Sequence, residues 1–322
     1  MHPRQDLTPE LLRLAASRAW VLTRTDLLNG GLSRHSVDRL TRSWQRLASG
    51  IYALHPPTWH TYLNAGLLLG GPGAAASHQT AAALHGLIDE RDLPVRLLVP
   101  DERTRGSTSW VRLHRAGNVD RRVLHGLDPP RVGLDDTVVD IAAESDVTDA
   151  IAILTKAVQS RRTTADRLLP VVRSRTRIRN RRLIEAALDD AVRGVHSALE
   201  AGQIRRVERA HGLPPALRQF PVPETGRCVD GAYPDHRLLL EFDGLRYHDH
   251  AADQARDNLH TAYKYGTMRL GWVDVFVRQC QAALLIAIAL GFGDVPRRCP
   301  LCPTDDVQSA RVLAGKVHAI GG

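Results

Sequence analysis

Three acidic residues sit where acids are expensive to place. Residues 227–233, Arg-Cys-Val-Asp-Gly-Ala-Tyr, and 237–244, Arg-Leu-Leu-Leu-Glu-Phe-Asp-Gly, read as two strands joined by a turn at Pro234-Asp235-His236. The second strand is apolar enough to be central in a sheet, yet it ends in Glu241 and Asp243. A buried, unpaired carboxylate is costly, so such acids call for a bound cation or basic partners. Glu241 and Asp243, two apart, face one way on a strand, and Asp230 on the preceding strand can share that side. Oxygen ligands on one edge suit Mg²⁺ or Mn²⁺ that must keep positions open for water and a phosphate. In outline this is the chemistry of phosphodiester hydrolysis.

Those strands need helices around them. Ser197-Ala198-Leu199-Glu200 opens a helix through Ile204 and Val207 that can turn Glu200 inward. Residues 219–222 read as a further strand. Upstream, residues 173–182 hold six arginines in ten positions and precede a helix beginning near Leu183. A run this dense repels itself unless solvated or neutralised by phosphate, so it is either a DNA-tracking element or a solvated helix face.

The front of the chain, residues 8–55, reads as a small helical unit closed by a β-wing. Thr8-Pro9 starts one helix, Thr23 caps a second that Gly30-Gly31 stops, and Ser33 caps a third with Val37, Leu40 and Thr41 on one face. Ser49-Gly50 then turns into an alternating strand at 51–54. In a winged helix-turn-helix the third helix enters the major groove. Its exposed face here would be Arg34, His35, Ser36, Arg39, Arg42 and Arg46, a basic surface for DNA. The same pattern also serves solvated helices and protein-protein modules. Residues 60–170 read as mixed α/β without evident chemistry, and His78 and His85, seven apart, are assigned to packing.

The whole composition agrees with a folded, nucleic-acid-facing protein. The 322 residues are 43% hydrophobic and 24% charged, with a net charge of +8 carried mostly by Arg. Phosphate recognition accounts for that excess, and so does a GC-rich coding sequence. The opening residues, with Asp6 and Glu10, are not a secretory signal, and the run 282–292 is too short to span a membrane. A cytoplasmic location without membrane partners is expected. Cys228, Cys280, Cys299 and Cys302 are too few for a disulfide scaffold. Cys299-Pro-Leu-Cys302 has the spacing of half a zinc site, but with no second pair nearby it is read as a structurally neutral tail.

The order Glu200, Asp230, Glu241-x-Asp243-Gly244, Tyr247-His248 and Arg256-Asp257-Asn258, with a late strand into Gly271-Trp272, resembles the PD-(D/E)XK restriction-like nucleases. More closely, it is similar to a bacterial domain related to very-short-patch-repair endonucleases. The resemblance covers about 110 residues of the chain. It implies Asp230 and Glu241 as metal ligands, Glu200 as the acid of the first helix, and His248 and Asp257 as accessory polar positions. Asp243 stands where the wider superfamily has a catalytic lysine, which leaves His248 as the candidate general base. The stretch from Gly271 to Arg278 is shifted from the late-strand pattern.

Residues 10–88 resemble the winged-helix domain of AbiEi-type antitoxins through Val21-Leu22-Thr23-Arg24, Gly31-Leu32-Ser33, Leu47-Ala48-Ser49-Gly50-Ile51-Tyr52 and Ser77-His78-Gln79-Thr80-Ala81-Ala82. That resemblance implies DNA binding and a cognate toxin as a partner. The expected architecture is α/β, of the α+β multidomain kind: a winged helix-turn-helix (1–58), a mixed α/β middle (59–172), an Arg-rich linker or helix (173–190), a restriction-endonuclease-like sheet flanked by helices (191–295) and a tail (296–322). The expected activity is metal-dependent DNA hydrolysis. The rival is a regulator or antitoxin whose nuclease fold only holds DNA, and a protein-protein adaptor is a third reading. The first two part on whether Glu200, Asp230 and Glu241 converge on one cation.

Overall fold

The computed structural model describes residues 6–89, 91–102, 106–117, 119–193, 197–245 and 250–302. The chain is mixed α/β and divides into two compact units, Met1–Ile141 and Ala142–Gly322.

The first unit begins with α1 (Pro9–Ser17), β1 (Val21–Thr23), α2 (Arg24–Asn29), α3 (Arg34–Thr41), β2 (Gln45–Ala48) and β3 (Ile51–Ala53). Its helix starts follow from short polar side chains that satisfy otherwise orphaned N–H groups. Thr8 Oγ1 accepts from Leu11 N at 3.3 Å, and Ser33 Oγ accepts from Ser36 N at 3.1 Å. Thr23 and Asp26 cap each other reciprocally, Asp26 N reaching Thr23 Oγ1 at 3.0 Å and Thr23 N reaching Asp26 Oδ2 at 2.8 Å. The three strands form an antiparallel sheet in the order β1-β3-β2. Leu11, Leu27, Leu32 and Val37 pack the helices on one side.

The unit continues through α4 (Trp59–Gly70), β4 (Ala75–Ala76), α5 (His78–Leu84), β5 (Val95–Pro100), β6 (Val111–Ala116), α6 (Val119–Arg122), β7 (Val123–Leu124) and β8 (Arg131–Val132), whose strands form a second sheet in the order β6-β5-β4-β8-β7. Gly66 lets α4 lie close to this sheet, since a Cβ there would meet Leu97 Cδ1 at 2.9 Å. The expected boundary at 58/59 is not a break in packing. Val21 and Ile51 share one core cluster with Leu63, Val95, Leu97 and Val111, and Trp110 Nε1 donates to Leu47 O at 3.1 Å. His78 stacks on His114 with ring centres 4.0 Å apart, and His85 Nε2 donates to Val132 O at 2.8 Å.

α7 (Leu134–Glu144) leads out of the first unit. The second unit holds α8 (Val147–Gln159), α9 (Ala165–Ser174), α10 (Arg181–Arg193), and α11 (Ser197–Gly202), which continues as a π-helical segment, Gln203–Arg209. Then come β9 (Leu217–Val222), β10 (Arg227–Tyr233), β11 (Leu238–Asp243), α12 (His250–Ala262), β12 (Gly266–Gly271), α13 (Trp272–Phe276) and α14 (Gln279–Ala289). The sheet order is β12-β11-β10-β9, antiparallel from β9 to β11, with β12 parallel to β11 across α12. The late strand therefore ends at Gly271. Trp272 opens a helix because Asp274 Oδ2 accepts the Gly271 N–H at 2.9 Å, so the Gly271-to-Arg278 stretch compared above with a strand is largely helical. α10 starts two residues earlier than expected, at Arg181, whose guanidinium donates to Val172 O at 3.0 Å and to Arg175 O. No described helix is long and apolar enough to cross a membrane.

Candidate functional site

The β10–β11 ladder pairs Tyr233 with Leu238, Ala232 with Leu239 and Gly231 with Leu240. The ladder ends there; continued by one step, its register would set Asp230 opposite Glu241 and on the same face. There the side chain replaces the ladder: Asp230 Oδ2 accepts the Phe242 N–H at 2.7 Å. Glu241 is 8% exposed, a carboxylate held inside a strand whose neighbours are apolar.

On the other side of Glu241, the parallel register sets Arg269 of β12 as its Cα partner. Arg269 bridges two layers, with Nη1 on Asp243 Oδ1 at 3.1 Å, and Nε and Nη2 on the two oxygens of Asp257 in α12 at 3.2 and 3.0 Å. The sequence named all three acids but missed the arginine that joins two of them. Its position depends on where β12 starts and on parallel register, neither of which shows in residue spacing.

Glu200 is half-buried on α11, which runs directly into the π-helical segment. That segment packs on the opposite face of the sheet, the face of Gly231, Leu240 and Phe242. There Glu208, 3% exposed, accepts from Arg218 Nη2 at 2.6 Å, Gln203 Nε2 at 3.2 Å and Ala216 N at 3.2 Å. Arg218 lies over the Phe242 ring at 5.7 Å. Tyr233 completes the cluster by donating to Pro214 O at 2.9 Å, and burial, then the Glu208 charge, raise its hydroxyl well above the usual tyrosine range. Sequence reasoning passed over this buried Glu208–Arg218 pair because each residue alone reads as an ordinary surface charge.

The hard oxygen donors at Asp230, Glu241 and Asp243 fit Mg²⁺ or Mn²⁺, and a buried Glu241 benefits from a cation. Within the described residues of the second unit, however, these carboxylates are not among the sets of three or more ligand side chains converging within 4.8 Å; His211, Cys280, Cys299 and Cys302 are such a set. The reading of Cys299 and Cys302 as a neutral tail is thereby corrected: residues 296–302 pack back onto His211, with Arg297 N donating to His211 O at 2.9 Å. His248, with Tyr247, lies outside the described residues.

Beside the acid edge, an open cleft is bordered by Asp243, Gly244, Asp274, Arg278 and Lys156. A separate groove is lined by Arg182, Arg205, Arg206 and Arg209, with Arg206 stacked 5.1 Å from the Phe276 ring centre.

In the first unit, Arg34, His35 and Arg42 are exposed on or at the end of α3. Arg39 is half-buried and pairs with Asp6 at 3.5 Å. Two assignments change. Ser36 is 6% exposed, turned in at the capped start of α3, where its hydroxyl accepts from Ser33 Oγ at 2.9 Å. Arg46 is exposed on strand β2, because α3 ends at Thr41.

No protein-family model matches the chain. Two relatives from Mycobacterium tuberculosis do: the uncharacterized protein Rv2248 of strain H37Rv and the uncharacterized protein MT2308 of strain CDC 1551. Each is 31% identical over 242 residues, spanning 73% of this chain and 84% of the relative. The match covers most of both chains, and the chain belongs to the same family as these mycobacterial proteins.

Proposed function

We propose that the chain is a DNA-binding protein whose second unit is a divalent-metal-dependent phosphodiesterase. The observation that carries this reading is the end of the β10–β11 hairpin, where Asp230 accepts the Phe242 N–H beside a buried Glu241, its neighbour in the continued register. Asp230 and Glu241 would hold Mg²⁺ or Mn²⁺, with Asp243 at the rim. The ion would supply Lewis-acid stabilisation of the charge developing on the phosphate. Arg269 keeps Asp243 and Asp257 in place, tying α12 to the acid edge. His248 is the candidate to take the proton of the attacking water. The strand and helix order around this edge, one helix, three antiparallel strands, a crossover helix and a parallel strand, supports the resemblance to restriction-like nucleases.

DNA would meet two basic surfaces: Arg34, His35, Arg39, Arg42 and Arg46 on α3 and β2, and the groove of Arg182, Arg205, Arg206 and Arg209. A second reading, a regulator or antitoxin that holds DNA without cutting it, is favoured by two features: among the described residues Glu200, Asp230 and Glu241 form no set of ligand atoms converging within 4.8 Å, and Asp243 is already neutralised by Arg269. Incubating supercoiled plasmid with Mg²⁺ or Mn²⁺ separates the two. The first reading expects nicked or linear product and an Asp230→Ala variant slower by on the order of 10³-fold, the worth of several kcal/mol of lost charge stabilisation. Wild-type protein that shifts DNA in a gel but never cuts it supports the second.

A further inference from the structure

We propose that His211, Cys280, Cys299 and Cys302 form a structural zinc site that fastens the segment after α14 to the end of the π-helical segment. All four ligand atoms lie within 4.8 Å of one another. The Sγ atoms of Cys280 and Cys299 are 3.6 Å apart, and those of Cys302 and Cys299 are 3.8 Å apart. A disulfide would require about 2.05 Å, whereas a tetrahedron with Zn–S bonds of about 2.3 Å has edges of about 3.8 Å. The thiols are therefore spaced as ligands of one ion rather than as partners in a bond, and all four cysteines of the chain are free.

The histidine supplies an independent observation. His211 is fully buried, and its Nδ1 lies 3.0 Å from Val207 O. A carbonyl only accepts, so Nδ1 holds the proton and Nε2 presents its lone pair. Among the described residues, that buried Nε2 has no hydrogen-bond partner. This is how a zinc-bound imidazole is oriented, its second nitrogen fixed by a backbone oxygen. The Cys-x-x-Cys turn is also preformed: Cys302 N donates to Cys299 O at 3.0 Å, and Leu301 N points at Cys299 Sγ at 3.4 Å. Three thiolates and an imidazole are soft and borderline ligands that select Zn²⁺ over Mg²⁺, and four protein ligands leave no open position, which marks a structural site.

The four ligands come from three places: the second residue after the π-helical segment, the start of α14, and the chain beyond it. Closure would pin residues 296–302 against the layer that holds the Glu208–Arg218 cluster. The site shares no ligand with the Asp230–Glu241 edge, so the two metal assignments stand or fall separately.

The test uses the full-length protein, reduced and kept anaerobic. Metal analysis of the purified chain should find one zinc per molecule. Titration of the metal-free protein with Co²⁺ should give the visible bands of a tetrahedral ion and a thiolate-to-metal charge-transfer band. Cys302→Ser should weaken zinc by more than the roughly 10- to 100-fold that changes behind a ligand cost. His211→Cys, which keeps four ligands, should retain the tetrahedral bands with added charge transfer, and Cys228→Ser should bind as wild type. If the folded wild-type chain gives no thiolate band with Co²⁺, or if Cys302→Ser binds zinc as tightly as wild type, the proposal is overturned.

Discussion

At the residue scale, His211 ties stability to pH. Burial holds its imidazole below the ordinary value of 6.5, outweighing the Val207 carbonyl, which acts in the opposite direction. In the metal-free protein the unfolded chain therefore takes up a proton before the folded chain does, so stability is intact above the unfolded value and falls as pH drops below it. Melting temperature of the metal-free protein should decrease between about pH 7.5 and pH 5.5, and His211→Gln should flatten that slope. An unchanged slope in the variant would assign the effect to other groups. Arg269 is a second residue with a definite expectation. Arg269 and its two carboxylate partners are only partly buried, so Arg269→Ala should cost about 1 kcal/mol or less in stability while reducing the proposed DNA cleavage far more. Equal losses in both would make it merely structural. The acids of this edge were legible because a carboxylate in an apolar strand is an anomaly in any sequence. Arg269, His211 and Cys280 were not, because each gains its meaning from partners 12, 69 and 19 residues away.

At the element scale, the π-helical segment holds an acid against the sheet at a position an ordinary surface helix would give to solvent. Glu208→Ala leaves Arg218 without the carboxylate that neutralises it, and should destabilise the second unit by about 3–5 kcal/mol in chemical denaturation. A loss under about 1 kcal/mol would mean that the pair is solvated. In the first unit, α3 and β2 present the arginines proposed to meet phosphates. If Arg34, Arg39, Arg42 and Arg46 each neutralise one, they should contribute about −3.6 to the slope of log affinity against log salt, and replacing all four should remove that contribution. An unaltered slope would move DNA binding elsewhere, first to the groove around Arg206. Helix starts were readable here because Thr8, Thr23 and Ser33 cap with their own side chains. β1 and β2 escaped notice because neither alternates: Val21–Thr23 runs into the cap of α2 and Gln45–Ala48 is exposed and then half-buried, whereas Ile51–Ala53 alternates. The late strand was legible as far as Gly271, where β12 ends, and only the residues after it differ, because Asp274 folds back on the Gly271 amide and starts a helix.

At the scale of the whole molecule, the expected boundary at 58/59 runs through packed side chains, since periodicity reports which residues are buried but not which elements bury them. Leu97→Ala, in the shared core, should cost about 2–5 kcal/mol and should speed hydrogen exchange at Val21–Thr23 as well as at Val95–Pro100. Protection lost only in the second of these strands would restore the boundary. The chain then comprises one unit presenting a basic helix and strand, and a second unit with an acid edge on one face of its sheet and a soft-ligand cluster near its end. Asp230 and Glu241 are proposed to hold a hard divalent cation. Mn²⁺ titration followed by electron paramagnetic resonance tests this proposal most directly, because Mn²⁺ favours carboxylate oxygen over thiolate. One site is expected, which Asp230→Ala and Glu241→Ala each weaken by more than about tenfold, or about 1.4 kcal/mol, and which Cys302→Ser leaves unchanged. Equal Mn²⁺ affinity in wild type and both acid variants would contradict it.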